Sequence, residues 1–227
     1  MATGDGYNET IRSAMVELTA ALGSNTELET TLASVTAAAV TLMDGVDYAD
    51  VLLINDGHFR SVTPTAPLVI DLDAVQLRLN EGPCLQAAVD DELVVRCADL
   101  RTDERWPGFA SAAVAAGVHS MLSFQLYSHR GGAGALNLFC RQARTVDAAT
   151  EAIGAMLATH AAVALVAAET RHQFHSALAS RDVIGQAKGI LMERFKVDAV
   201  RAFELLTKLS QNTNTPLRIV AQKLVDS

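Results

Sequence analysis

The chain has 227 residues, half of them hydrophobic, and a formal net charge of −8. That suffices for a core of ordinary size, in one large domain or a medium domain with a small one appended. Residues 1–167 carry 9 Arg against 20 Asp and Glu, whereas residues 168–227 carry 9 Lys and Arg against 6 acids and hold all four lysines. An acidic body joined to a basic tail points to an anionic partner for the tail.

In chain order, residues 8–22 read as a helix, with Ile11, Met15, Leu18 and Leu22 at three- and four-residue intervals. Asn25 and Thr26 supply a cap for a second helix, which carries Leu28, Leu32, Val35, Ala39 and Leu42 on one face. The apolar runs around Asn55-Asp56-Gly57 predict a hairpin. Residues 69–79 read as a short helix, 92–97 as a strand and 111–117 as a small alanine-rich helix. Two further strands flank the Arg130-Gly131-Gly132 turn. This order predicts an α+β fold around an antiparallel sheet.

From Val146 onward about fifty residues show neither proline nor a strand pattern, which predicts one long helix or two nearly continuous ones, with Gly154 tolerated inside. Ile153, Met156, Val163, Ala167, Phe174, Ala177, Ile184 and Leu191 follow an a/d-like spacing that His160, Thr170 and Arg181 interrupt. The pattern suits a short coiled coil or, for its first half, packing onto the chain's own domain. The longest uncharged stretch, 152–168, is alanine-rich and contains Thr159 and His160, so a buried or paired helix is expected rather than a membrane span. Residues 1–6 lack a basic start and apolar run, and the expectation is a soluble, cytoplasmic protein.

In the tail, Ile184, Ala187, Leu191 and Phe195 share one helix face. Lys188 and Met192 sit at its edge, and Arg181 lies two turns before Lys188. Asp198 is placed to cap a second helix with Val200, Phe203, Leu206 and Leu209 or Ser210 inward. Pro216 opens a third, with Leu217, Val220, Ala221 and Leu224 apolar.

The segment "SRDVIGQAKGILMERF", with "AFELLTKLSQNTNTPLRIVAQKLV" after it, strongly resembles the ANTAR domain, an RNA-binding module of bacterial antitermination regulators. The matching positions are Ala187, Lys188, Gly189, Leu191 and Met192, then Ala202, Phe203 and Leu206, then Leu217, Val220 and Ala221. Thr207 stands where that family usually has Arg or Lys, with Lys208 beside it. Upstream, "EGPCLQA" (81–87), "DLRTDERWPGF" (99–109) and "GALNLF" (134–139) resemble the GAF domains that precede ANTAR modules in actinobacteria. With the helix read over 8–22 as an N-terminal segment (1–24), the resemblance implies a GAF-like sensor domain (25–145), a helical connector (146–171) and a three-helix ANTAR-like domain (172–227). A GAF fold implies a sheet with helices on one side and a pocket on the other.

The function implied is binding of paired hairpins in nascent RNA by a homodimer, which prevents a terminator from forming. Residues of the right type for phosphates and close approach are Arg181, Gly185, Lys188, Gly189, Met192, Arg201, Lys208 and Arg218. Lys188 could equally lay its stem along the apolar seam. Phe195 and Phe203 fit a core better than base stacking. The rival reading is a dimeric small-molecule or redox sensor whose helical tail contacts another protein.

A small-molecule ligand of the GAF-like domain is left unidentified. The domain has no lysine, which disfavours the cyclic-nucleotide type, and its lone histidines carry no haem motif. Cys84, Cys97 and Cys140 form no CxxC or Cys/His cluster, which argues against zinc or a disulfide framework. Cys84 follows Gly82-Pro83 at a helix start, where a thiol pKa is lowered, so a redox role is conceivable beside a packing one. No GxSxG, phosphate-binding glycine loop or HExxH is present, so no catalytic residues are expected.

Overall fold

The computed structural model describes residues 28–55, 58–89, 92–129, 132–144 and 146–227, together with Val16. The expected first helix, apart from Val16, the Asn25/Thr26 cap and both hairpin tips lie outside the described residues. Contacts divide the chain into two compact units, Met1–Val166 and Ala167–Ser227.

The first unit is built on α1 (Leu28–Leu42), β1 (Tyr48–Asn55), β2 (His58–Val62), α2 (Pro67–Leu79), α3 (Pro83–Val89), β3 (Val94–Cys97), α4 (Pro107–Ala115), β4 (Ser120–His129) and β5 (Gly132–Cys140). It also contains the beginning of α5 (Ala148–Phe195). The five strands form one sheet in the order β2-β1-β5-β4-β3, every pair antiparallel. The α+β fold expected from the element order is present. Both hairpins are as expected; what joins them is a long β1–β5 pairing from Tyr48↔Phe139 to Asn55↔Gly132.

Strand alternation sorts side chains into two cores. Val51 and Leu53 of β1, Leu122 and Phe124 of β4 and Leu136 and Leu138 of β5 face one way, against Leu32, Val35 and Ala39 of α1 and Ile153, Leu157 and Ala161 of α5. Leu52, Met121 and Phe139 face the other way, against Leu72, Cys84, Trp106 and Phe109 on and before the short helices. The helices therefore cover both faces of the sheet, not one as the resemblance implied. Between β2 and β3, where only the short helix over 69–79 was expected, the chain holds the helical pair α2 and α3, because left-handed Asn80 (φ 53°) and Gly82 (φ 133°) turn the chain between them.

The motifs around 81–87 and 99–109 meet in space. A Glu81 carboxylate oxygen accepts from the backbone N–H groups of Gly108 (2.9 Å) and Phe109 (3.2 Å), satisfying orphan donors at the start of α4. Trp106 is buried, and the Arg105 guanidinium stacks 4.1 Å over its ring. At the β3 edge of the sheet, where Arg105 also donates to the Arg96 carbonyl at 2.6 Å, Arg96 forms a bidentate pair with Glu151 of α5, at 2.7 and 2.5 Å.

The beginning of α5 packs onto the sheet through Ile153, Leu157, Ala158, Ala161 and Leu165, while Met156 and Val163 of the a/d-like series are exposed. By length and composition alone α5 is long and apolar enough to cross a membrane, but its inner face over residues 153–165 packs in the core, as in the buried helix expected there.

Candidate nucleic-acid interface

The second unit comprises α5 from Ala167 onward, α6 (Ala199–Asn212) and α7 (Leu217–Val225). Its core is small: Ala187 and Leu191, Ala202 and Leu206, Val220 and Ala221, with Ile184, Leu205, Leu217 and Leu224 partly buried around them. The three alanines are fully buried, so each helix contributes a small residue where the three approach most closely. Asp198 caps α6 as expected, its carboxylate accepting from the Arg201 N–H at 2.7 Å. Pro216 occupies the cap position of α7 rather than its first turn.

Two expectations about inward residues are corrected. On α6 the buried positions are Ala202 and Leu206, and Val200, Phe203 and Leu209 are 69%, 42% and 51% exposed. The i, i+4 pair of Ala202 and Leu206 sets the inward direction, which turns Phe203 roughly 100° away from it. Phe195 is likewise exposed, because α5 ends there, Lys196 takes a left-handed conformation (φ 54°) and Val197 packs in its place.

Between α5 and α6 lies an open cleft of about 700 Å³. Arg181, Gly185 and Lys188, spaced one turn apart, line it with Phe203; Ser180 and Asp182 add polar groups, and Ala177 and Ile184 complete the wall. Lys188 Nζ stands 6.0 Å from the centroid of the Phe203 ring, at the limit of cation–π reach. Lys188 is half-buried, so its stem follows the apolar seam while its ammonium borders the cleft, and the two readings of this residue coexist.

The structure thus brings three of the eight expected residues together. Gly189, Met192, Arg201, Lys208 and Arg218 are exposed but do not line this cleft. Arg201 pairs with Glu204 at 2.8 Å on an exposed surface, worth about 0–1 kcal/mol, so it can be redirected to a phosphate at little cost. The Thr207 hydroxyl donates to the Phe203 carbonyl at 2.9 Å, so its side chain is turned onto its own helix. Phe203, Ser180 and Asp182 went unrecognised as cleft residues. The signal available for Phe203 was the Ala202–Leu206 spacing.

Gly185 and Gly189 carry a specific message. A methyl group at either would meet nothing within 4 Å. A glycine inside a helix costs about 1 kcal/mol relative to alanine, and nothing in this unit's own packing repays that. Gly185→Ala is therefore expected to stabilise the protein by about 0.5–1 kcal/mol, read from denaturant unfolding. The added methyl would also narrow the cleft.

In the first unit, Cys84 is fully buried at the start of α3. The Gln76 amide holds it from both sides: Nε2 donates to Sγ at 2.8 Å, and Oε1 accepts from the Cys84 N–H at 3.0 Å. Burial, and then the carboxyls of Asp73 and Asp50, push its thiol well above the usual range. The lowering expected from a helix start is overridden, since a buried thiolate has no cation beside it. Cys97 is pushed up to about 12, by burial and Asp103, and Cys140 is also raised by burial. All three thiols are free, buried and held protonated.

A GAF domain profile matches residues 25–166 and an ANTAR domain profile matches residues 172–225. No curated protein matches the chain. Among solved structures, the GAF domain of Acinetobacter phosphoenolpyruvate-protein phosphotransferase is 18% identical, covering 75% of this chain and 97% of its own, with a TM-score of 0.56. The GAF domain of the phosphoenolpyruvate-protein phosphotransferase from Coxiella burnetii is 16% identical, covering 72% and 96%, with a TM-score of 0.54. Free methionine-R-sulfoxide reductase from Neisseria meningitidis is 15% identical, covering 71% and 91%, with a TM-score of 0.55. At such identities the likeness is one of fold. The first profile takes in the two-faced sheet and the beginning of α5, and the second takes in the helices that make the cleft; the chain belongs to the GAF domain family and carries an ANTAR domain after it, as a GAF and ANTAR regulator.

Proposed function

We propose that this protein is a cytoplasmic, non-enzymatic homodimer that binds paired hairpins in nascent RNA and so keeps a terminator from forming, under control of a signal received by its GAF domain. ANTAR domains are RNA-binding antitermination regulators and GAF domains are sensory. The observation that carries the reading is the cleft. Two cations, a glycine that the fold does not need and an exposed aromatic ring converge on one concave surface. Cations meet phosphates, and an aromatic ring receives an unstacked loop base, which is how most sequence-specific RNA recognition proceeds.

Dimerisation is supported by exposed apolar side chains along α5: Met156 and Val163 in the first unit, Phe174 and Leu178 in the second. Two RNA modules in one dimer gain avidity only when hairpin spacing matches their separation. The same exposed residues favour the rival reading, a tail that acts through protein contacts.

Binding to a two-hairpin terminator RNA against a single-hairpin control, across a salt series, separates the two readings. Wild type is expected to prefer the paired hairpins. Lys188→Ala is expected to bind about tenfold more weakly and to reduce the slope of log K against log salt by about 0.7–0.9, one phosphate contact. Equal, salt-insensitive binding of both RNAs by both proteins would favour the protein-contact reading.

A further inference from the structure

One row across the sheet of the first unit is polar. Asp50 of β1 is the register partner of Asn137 on β5, which is the partner of Ser123 on β4, and all three are fully buried. Above them α2 contributes Asp73 and Gln76, α3 contributes Cys84, and β2 adds Ser61 from the side. Asp50 accepts from Ser61 Oγ at 2.6 Å and from Asn137 Nδ2 at 3.0 Å. Asp73 Oδ1 accepts a long hydrogen bond from Gln76 Nε2 at 3.4 Å, and Asp50 and Asp73 are both buried on this face, within reach of one another's charge.

Ionised carboxylates are acceptors only, and a buried one short of donors favours its protonated form. Asp73 Oδ2 meets no donor, and Asn137 Oδ1, fully buried beside Asp50, meets none either. Among the described residues no cation pairs with either carboxyl. Arg60 of β2 and Asp71 and Arg78 of α2 are exposed, and α4 contributes no titratable group. Among the described residues, the titratable groups on this face are the pair itself, Cys84 of α3, Tyr48 of β1 and Cys97 of β3, with Glu81, Asp103 and Arg105 at its margin around the start of α4.

We propose that Asp50 and Asp73 form a proton-binding site, with the proton resident on Asp73, and that its release loosens α2 from the sheet. Two bare carboxylates in this setting would repel one another with no solvent to screen them. Both carboxyls lie above the ordinary range because of burial. Asp73 is pushed further by the charge of Asp50, whereas Asp50 is partly held down by the hydrogen bonds from Ser61 and Asn137. The folded protein therefore binds more protons than the unfolded chain above the ordinary value of 3.8. Stability from the pair is full below that value and is lost as pH rises through the folded value, the reverse of acid denaturation.

Infrared spectroscopy of the full-length protein at about pH 7, where exposed carboxyls are ionised, is expected to show a protonated carboxyl band that Asp73→Asn removes. The asparagine is neutral at every pH. Between about pH 5 and 8 the melting temperature of wild type is expected to fall by roughly 5 °C relative to that of the variant. Absence of the band in wild type, or melting curves that run parallel across pH, would overturn the proposal. Should the variant fail to fold, the presence or absence of the band in wild type decides alone.

Discussion

Gly154→Leu is expected to destabilise the first unit by about 3 kcal/mol or more, and Gly154→Ala by about 1–3 kcal/mol, although both residues are better helix formers than glycine. A methyl group at Gly154 would stand 2.5 Å from two ring carbons of Phe124 and 3.1 Å from the Met43 terminal methyl. Phe124 and Met43 are themselves buried, at 2% and 1% exposure, and the ring is set within a strand, so neither can give way cheaply. Propensity favours the substitution by about 1 kcal/mol, and packing opposes it by more. Denaturant or thermal unfolding of the full chain, at about 2–4 °C per kcal/mol, checks the sign. A neutral or stabilising Gly154→Ala would mean that α5 does not press on the sheet at this point. Gly185→Ala, in the same helix, carries the opposite expectation because no described residue faces it.

Phe203→Ala is expected to weaken binding of the two-hairpin RNA by about 10- to 100-fold, the range of one base stacked on an aromatic ring, while costing under about 1 kcal/mol of stability. The small stability cost follows from the exposure of the ring, since only its buried part contributes to packing. Its signature differs from that of Lys188→Ala. Removing the ring leaves the number of phosphate contacts, and so the salt slope, unchanged, whereas removing the ammonium lowers the slope. Phe203→Tyr retains the π-face and is expected to bind within a few-fold of wild type. A Phe203→Ala protein that binds normally would remove the stacking role and leave the cleft with its cations alone.

The element order of the first domain and the three tail helices were legible because they rest on local signals. Alternation and turn residues marked both hairpins, Asp198 marked the start of α6, and repeated three- and four-residue spacing marked α1 and α5. The α2–α3 pair was only half legible, since its turn depends on a left-handed Asn80 that sequence spacing does not announce. The cleft was legible in its cations but not in its ring. Phe203 and Leu206 both suit an apolar face by spacing, and what separates them is which neighbour α5 offers each.

The amino-acid sequence by itself determined the two-part organisation, the acidic-to-basic change of character and the residue types available to an anionic partner. Those properties are sums over local composition and short-range period. Only the tertiary structure decided that β1 and β5 join the two hairpins, and that Gly154 is pressed by a ring thirty residues away while no described residue of its own unit faces Gly185. It also decided that Cys84 is a buried core thiol and that Asp50 and Asp73 are both buried on one face of the sheet. Each of these depends on what chain segments distant in sequence bring against a residue, and burial, which sets both packing strain and protonation, is a property of that company.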